Sequence, residues 1–343
     1  MLPAQTSLIA PMGKAASFSQ ACATNGSTGY CLSDFSRHPN LDMLQRRAST
    51  RRYLLLSISS LVIAHAARAA GMPADRRKPR IVSLNWAMSE TLYAMGIRPI
   101  AAAEIAGYDR TVGYPPTPPG VIDLGFQNNP NLELLSRIDP DLILIQSWQG
   151  AGRPMLERFA PVESFMLYDR GKGDPVEAAS KAVIRLADLC GNPAVSSSLL
   201  SRVDQSFATC AERLSTIEQR PILLVQALSP TNLVVFTGGS LFDSTMRRIG
   251  LQNAWSKPPT LLWGSTQIGV DALATYPQAR IVWIASPDGA SSDSLFRSDL
   301  WRQLPQVARK DVHALPLIWG FGALPTAERF ALLMTVALTD SKG

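Results

Sequence analysis

Residues 123–147 read DLGFQNNPNLELLSRIDPDLILIQS, and the order of residue types there closes off most folds. Val121 and Ile122 end an apolar strand, and Gly125 marks the turn after it. Asn129 or Asn131 can cap the helix that follows, with Pro130 suited to its first turn. Leu132, Leu135 and Ile138 recur at helical spacing, and Leu134 widens the stripe. Asp139-Pro140 stops that helix, because proline disfavours a helical residue before it. Leu142, Ile143, Leu144 and Ile145 are then continuously apolar, as expected of a parallel strand buried on both faces. This is one strand–helix–strand unit of an α/β sheet. Ligands of such sheets bind outside the carboxyl ends of the strands, where the loop after Asp123 lies.

The same alternation runs to both sides. Strands are expected at 81–84, 99–103 and 165–168, with helices at 88–95 and 174–189, the latter capped by Asp174. Residues 194–214 read as one polar-faced helix, roughly 30 Å long at 1.5 Å per residue. Beyond it, strands are expected at 221–225, 232–236, 280–285 and near His313, and helices at 241–249, 293–304 and 326–338. The expected fold class is therefore α/β, with two small α/β lobes joined by one long helix. The boundaries are a leader over 1–70, an N-terminal lobe over 79–192, a connecting helix over 193–218 and a C-terminal lobe over 219–343. If the helices around Gly191-Asn192-Pro193 fold back on each other, Cys190 and Cys210 lie about 25 Å apart. A disulfide needs Cα atoms within about 7 Å, so the two thiols stay free.

Charge and histidine content exclude whole classes of function. The net +6 is concentrated early: residues 1–70 hold 7 Lys/Arg against 2 Asp/Glu, and the remainder is nearly balanced. A nucleic-acid surface needs a basic face on the folded domain, and no segment after residue 70 supplies one. Of the three histidines, only His313 lies beyond the leader, too few for an imidazole metal site. Residues 1–42 lack periodicity. After Met43 come Arg51-Arg52, a short apolar run and Ala67-Arg68-Ala69, which together read as a twin-arginine export signal with its cleavage site. The apolar run is about a dozen residues, short of the ~20 that cross a bilayer. A periplasmic location follows.

No nucleophile elbow, phosphate loop or metalloprotease motif occurs, and Gly150-Ala151-Gly152 lacks the third glycine of a dinucleotide fingerprint. The tryptophans say more. All seven follow residue 71. Trp86, Trp148 and Trp319 come just after expected strands, and Trp263 sits in a loop. Four indoles so placed suit a large, partly apolar organic ligand held between the lobes. Trp255, Trp283 and Trp301 read as core.

The segments RIVSLNWAMSETLYAMGI, PPGVIDLGFQNNPNLELL, SLFDSTMRRIGLQNAW, LLWGSTQIGVDALA and LPLIWGFGA resemble the ferric hydroxamate siderophore-binding proteins of ABC importers, over about 80–338. The resemblance implies a class III periplasmic binding protein fold, with a rigid helix between lobes and chelated metals as ligands. It implies a receptor and no enzyme. The chelator supplies the iron ligands, so neither cofactor nor metal-binding residues are expected of the protein. Cobalamin or another chelate is the alternative ligand, and an exported enzyme on a chelatase-like bilobal scaffold the alternative class. The partners implied are a ferric siderophore, a permease and indirectly its ATPase, and an outer-membrane siderophore receptor system, for a monomer that binds no nucleic acid. Trp263 and Trp319 match cleft aromatics, and Trp86 lies beside the first cleft loop. Gln127 stands where the family has a hydroxamate-binding arginine. Gln149, with Trp148 adjacent, falls near one family tyrosine, Phe321 matches another, and Thr111 replaces a tryptophan. Arg153 and Arg170 are candidate substitute cations. For docking to the permease, Asp271 matches the acid of the C-terminal lobe. Pro154 takes the place of the N-terminal acid, and Glu157, one helical turn on, is expected to stand in.

Overall fold

Asn85, Asn131, Asp174, Ser240 and Ser298 each turn a side-chain oxygen onto a backbone N–H at the start of a helix. These caps satisfy donors that the first turn leaves open, and they set where each strand gives way to a helix. The computed structural model describes residues 78–169, 173–258, 263–286 and 290–340. The leader with Arg51-Arg52, Cys22 and Cys31, and also Arg170, lie outside the described residues.

The first sheet holds β1 (Ile81–Ser83), β2 (Ala101–Ala102), β3 (Ile122–Asp123), β6 (Leu142–Gln146) and β7 (Val162–Phe165), in the order β3-β2-β1-β6-β7 and wholly parallel. Helices α1 (Trp86–Ala94), α2 (Ile105–Thr111), α3 (Leu132–Ile138) and the short α4 (Arg153–Leu156) connect its strands. Of the two candidate caps, Asn131 holds the Leu134 N–H. Asn129-Pro130 instead forms β5, paired antiparallel with β4 (Gly125–Phe126). The strand expected at 165–168 lies earlier, because residues 162–165 are the ones in register with β6. Tyr168 has left the sheet and donates its hydroxyl to Gly322 O (2.6 Å).

Helix α5 (Pro175–Leu189) turns at Cys190 into α6 (Ala194–Leu214), 21 residues long. Cys190 and Cys210 are free. The second sheet has the order β10-β9-β8-β11-β12 and comprises β8 (Ile222–Ala227), β9 (Asn232–Phe236), β10 (Ser265–Gly269), β11 (Arg280–Ile284) and β12 (Val312–Leu315). It is mixed: β8, β11 and β12 run parallel, while β9 is antiparallel to both β8 and β10. Strand β10 escapes the sequence pattern because STQIG, at the sheet edge, buries none of its residues fully. Helix α7 (Leu241–Arg248) follows β9. The single helix expected at 293–304 is α8 (Ala290–Arg297) and α9 (Asp299–Arg302), with α10 (Pro305–Ala308) behind them. Ser298 caps α9 and Pro305 begins α10, so each break has a local cause. The C-terminal helix is α11 (Leu324–Thr339).

Each sheet has an outer core of its own. Leu124, Leu135 and Ile143 belong to one; Leu223, Trp255 and Trp301 belong to the other. A third core is continuous between the lobes. It joins Met88 and Leu92 of α1, Val183 and Leu186 of α5, Leu199 and Phe207 of α6, Phe242 of α7 and Phe330 of α11. The lobes therefore share packed side chains as well as the connecting helix, and a close-packed interior resists hinge bending.

Candidate functional site

The chain leaves β1 for β2 on one side and later places β6 on the other. The crevice outside the carboxyl ends of β1 and β6 is thus the switch point of the first sheet, where open α/β sheets hold ligands. Leu84-Asn85-Trp86 leads away from β1. Ser147-Trp148-Gln149 leaves β6 in a 3-10 turn, Ser147–Gly152.

Carboxamides lace these loops together. Asn85 Oδ1 accepts from Ala87 N (3.0 Å) and from Gln146 Nε2 (3.0 Å). Gln149 Oε1 accepts the Gln146 N–H (2.9 Å), and its Nε2 donates to Leu84 O (2.9 Å) and Gln127 O (3.0 Å). Gln149 is buried, and its amide is used in tying three loops to one another. Asn85 Nδ2 donates to Gln127 Oε1 (3.2 Å), and Gln127 Nε2 donates to Glu104 Oε2 (3.3 Å).

Glu104 is held in the left-handed region at φ 55°, a conformation that costs a non-glycine residue about 1–2 kcal/mol. Asp123 stabilises it. Its carboxylate accepts the N–H groups of Glu104 (3.1 Å), Ile105 (3.2 Å) and Gly125 (2.9 Å). Gly107 then lets two side chains close in. A Cβ there would lie 2.8 Å from Trp86 Cζ2 and 3.0 Å from Glu104 Cγ. Neither Glu104 nor Asn85 stood out in the sequence. Their only signals are positions just past a strand end, and for Asn85 a residue type suited to capping.

The aromatic residues form an unbroken line across the molecule. Trp86 meets Trp319 edge-on at 5.2 Å between ring centroids. Trp319 meets Phe321 at 6.1 Å, Phe321 meets Trp263 at 5.2 Å, and Trp263 meets Trp148 at 6.4 Å. The line begins in the N-terminal lobe, crosses to the C-terminal lobe and returns. Each such pair is worth about 0.5–1.5 kcal/mol beyond its buried area. Trp148 remains 42% exposed, and Trp263, Trp319 and Phe321 are partly so. The line is therefore partly open to solvent along Trp319, Phe321, Trp263 and Trp148, while Trp86 is buried.

Local geometry aims these rings. Trp263 stands at φ 48°, followed by Gly264 at φ 65°. A Cβ on Gly264 would fall 2.0 Å from Ser240 N, so only glycine passes this point of the loop. Between Trp319 and Phe321, a Cβ on Gly320 would sit 2.6 Å from Phe236 Cε1. Both glycines let a ring-bearing loop press against the C-terminal lobe. Trp255 and Trp301 are buried in the outer core of that lobe, and Trp283 packs on Phe296 at 4.8 Å.

The remaining candidates lie elsewhere. Arg153 does not join the cleft residues: its Nε donates to Glu157 Oε1 (2.6 Å) in an exposed pair. Glu157 ends α4, and Asp271 is exposed in the 3-10 turn Val270–Thr275, so its segment is not the α-helix expected. Thr111 ends α2. Among the described residues no three His, Cys, Asp or Glu side chains converge as metal ligands.

Behind the aromatic line the lobes are bolted together. Glu90 of α1 is fully buried, and its carboxylate accepts from Ala323 N and from Thr326 Oγ1 (2.6 Å) at the start of α11. Burial pushes this carboxyl up to about 7, although both donors pull it down. At a second bolt, Asp174 accepts from Ser244 Oγ and from Arg248 Nη1 (2.9 Å). Burial raises the Asp174 carboxyl, but Arg248, Ser244 and the Glu177 N–H outweigh it and hold it at about 2.

Comparison with known proteins bears on this arrangement. A family model described as periplasmic binding protein matches residues 81–317. The iron(3+)-hydroxamate-binding protein FhuD of Escherichia coli is 32% identical over 259 residues, spanning 76% of this chain and 86% of that protein. The crystal structure of the siderophore-binding protein FhuD from Vibrio cholerae, with Fe3+-Desferal bound, superimposes with a TM-score of 0.72 at 26% identity. It covers 77% of this chain and 98% of that one. FhuD2 of Staphylococcus aureus with bound ferrioxamine B gives a TM-score of 0.63 at 14% identity, over 77% and 99% of the two chains, a likeness of fold alone.

Proposed function

The chain belongs to the periplasmic binding protein family, and from that premise we propose that it captures a ferric siderophore of the hydroxamate type and delivers it to an ABC importer. One observation carries this reading: the aromatic line Trp86–Trp319–Phe321–Trp263–Trp148 crosses between the lobes at the switch point of the first sheet. A ferric trihydroxamate is a bulky chelate whose periphery is largely hydrocarbon and whose oxygens already fill the iron shell. Flat rings and neutral amides suit it, and no protein ligand to the metal is needed. Binding and release, with no bond made or broken, is the activity. An enzyme would need a nucleophile or an acid–base pair facing the rings. The residues whose side chains join them to one another there are Asn85, Gln127, Gln146, Gln149 and Glu104, four carboxamides and one carboxylate.

The remaining parts of the reading follow from this activity. Residues 1–70 direct export by the twin-arginine route to the periplasm, and the mature receptor works as a monomer. The lobes divide at 79–192 and 219–343, with the connecting helix within 193–218. Glu157 on one lobe and Asp271 on the other meet cationic residues of the permease. An ATPase acts through that permease, and an outer-membrane receptor system supplies the chelate.

Tryptophan fluorescence tests the proposal. Ferrioxamine B or ferrichrome should quench the mature protein with saturable, micromolar or tighter affinity, and cobalamin should not. Trp263→Ala and Trp319→Ala should each weaken binding by about 1–3 kcal/mol, the size expected of a buried aromatic anchor. Unchanged affinity in both variants would remove the cleft assignment. Tight cobalamin binding with no response to either iron chelate would replace the siderophore by the alternative ligand.

A further inference from the structure

We infer that this cleft sorts ferric chelates by charge through Glu104, favouring a trihydroxamate that carries a positively charged pendant amine over neutral and anionic forms; this rests on the receptor reading above. The charged group joined to the cleft network is a carboxylate. Glu104 Oε2 accepts from Gln127 Nε2 (3.3 Å), and Gln127 is in turn linked to Asn85, the residue before Trp86 (3.2 Å). The Glu104 stem and the Trp86 ring both close on Gly107, where a Cβ would meet each of them. Trp86 begins the aromatic line, so Glu104 lies beside the first ring of the cleft. Among the described residues no lysine or arginine hydrogen-bonds to Asn85, Glu104, Gln127, Gln146 or Gln149.

The protein also builds this position deliberately. Asp123 spends its carboxylate on the Glu104, Ile105 and Gly125 amides, which fixes Glu104 at φ 55°. Strained backbone held by its surroundings is characteristic of functional positions. Glu104 is half-buried and makes no cap bond of its own to α2. Its hydrogen bond to Gln127 leaves the other carboxylate oxygen open to a cation. Gln127, bonded at both ends, cannot neutralise it. A ferric trihydroxamate core is uncharged, so its affinity gains from Glu104 only through a pendant ammonium. A triscatecholate chelate, with a charge near −3, would be repelled.

One chelate core in three charge states isolates the effect. The probes are ferrioxamine B, whose free amine is protonated, its N-acetyl derivative, which is neutral, and its N-succinyl derivative, which is anionic. Dissociation constants by tryptophan quenching should rise in that order. Each step should be about fivefold at low ionic strength, the size of a partly screened ion pair, and should shrink in high salt. In Glu104→Gln the three constants should converge towards one another, whatever the common change in affinity. Equal binding of all three probes by the unmutated protein would overturn the inference whatever the variant does. So would an unchanged order in Glu104→Gln. Failure of all three to bind would overturn the receptor reading, and the charge selection with it.

Discussion

Glu90 is a carboxylate placed where water does not reach, with its oxygens on Ala323 N and Thr326 Oγ1 of the other lobe. Its desolvation raises the carboxyl from 4.5 to about 7 in the folded protein. Below pH 4.5 both folded and unfolded chains hold the proton. As pH rises from there towards 7 the unfolded chain releases it first, so the folded state loses stability across this window. The expected loss is roughly 3 kcal/mol. Glu90→Gln, which keeps an acceptor for one of the two donors, should flatten the midpoint of thermal unfolding between pH 4.5 and 7. A variant whose melting falls with pH as steeply as the parent's would show that Glu90 is not the group responsible. Cys190 is also shifted by burial, up to about 11, which leaves little thiolate near neutral pH to attack a disulfide.

Among the elements, α11 has the widest reach. It packs against α1, α5, α6, α7 and β12, and stacks Phe330 on Phe242 at 4.3 Å. The loop just before it carries Trp319 and Phe321, so the helix that closes the core also anchors two of the cleft rings. The short helix α4 and the turn Val270–Thr275 make a contrast: each buries only a residue or two, Leu156 in one and Val270 and Leu273 in the other, and leaves an acid exposed, Glu157 at the end of α4 and Asp271 in the turn. That is the character expected of docking surfaces, since removing such a charge costs the fold little. Glu157 shares its charge with Arg153, so its substitution also frees a cation at this position. The double reversal Glu157→Lys and Asp271→Lys should abolish iron-siderophore uptake by cells. Affinity of the purified protein for ferrioxamine B should not change. Normal uptake by that double variant would rule out the docking pair.

At the scale of the whole molecule, the core continuous between the lobes limits what binding can do to shape. Leu199, Phe207, Phe242 and Phe330 would have to part for the lobes to swing, exposing side chains that are now almost fully buried. The bolts at Glu90 and Asp174 would break as well. Closure around a ligand is therefore expected to be a small adjustment of loops. Small-angle scattering of the purified protein with and without ferrioxamine B should give radii of gyration equal within about 0.5 Å. A contraction of several ångströms would mean that the shared core opens.

The alternating elements, the helix caps at Asn131 and Asp174 and the positions of the aromatic residues were legible in the chain itself. Periodicity and capping act within a few residues, so local sequence suffices to set them. Other features needed the folded molecule. Gln149 has a residue type and position that suit a ligand contact, yet its amide bonds to Leu84, 65 residues away. Glu90 reads as a polar interruption in an apolar helix until Ala323, 233 residues on, meets it. The antiparallel edge of the second sheet and the core shared by the lobes were hidden for the same reason. Local spacing determines which elements form; which buried polar groups find partners, and which apolar faces meet, depends on contacts that exist only after distant segments pack.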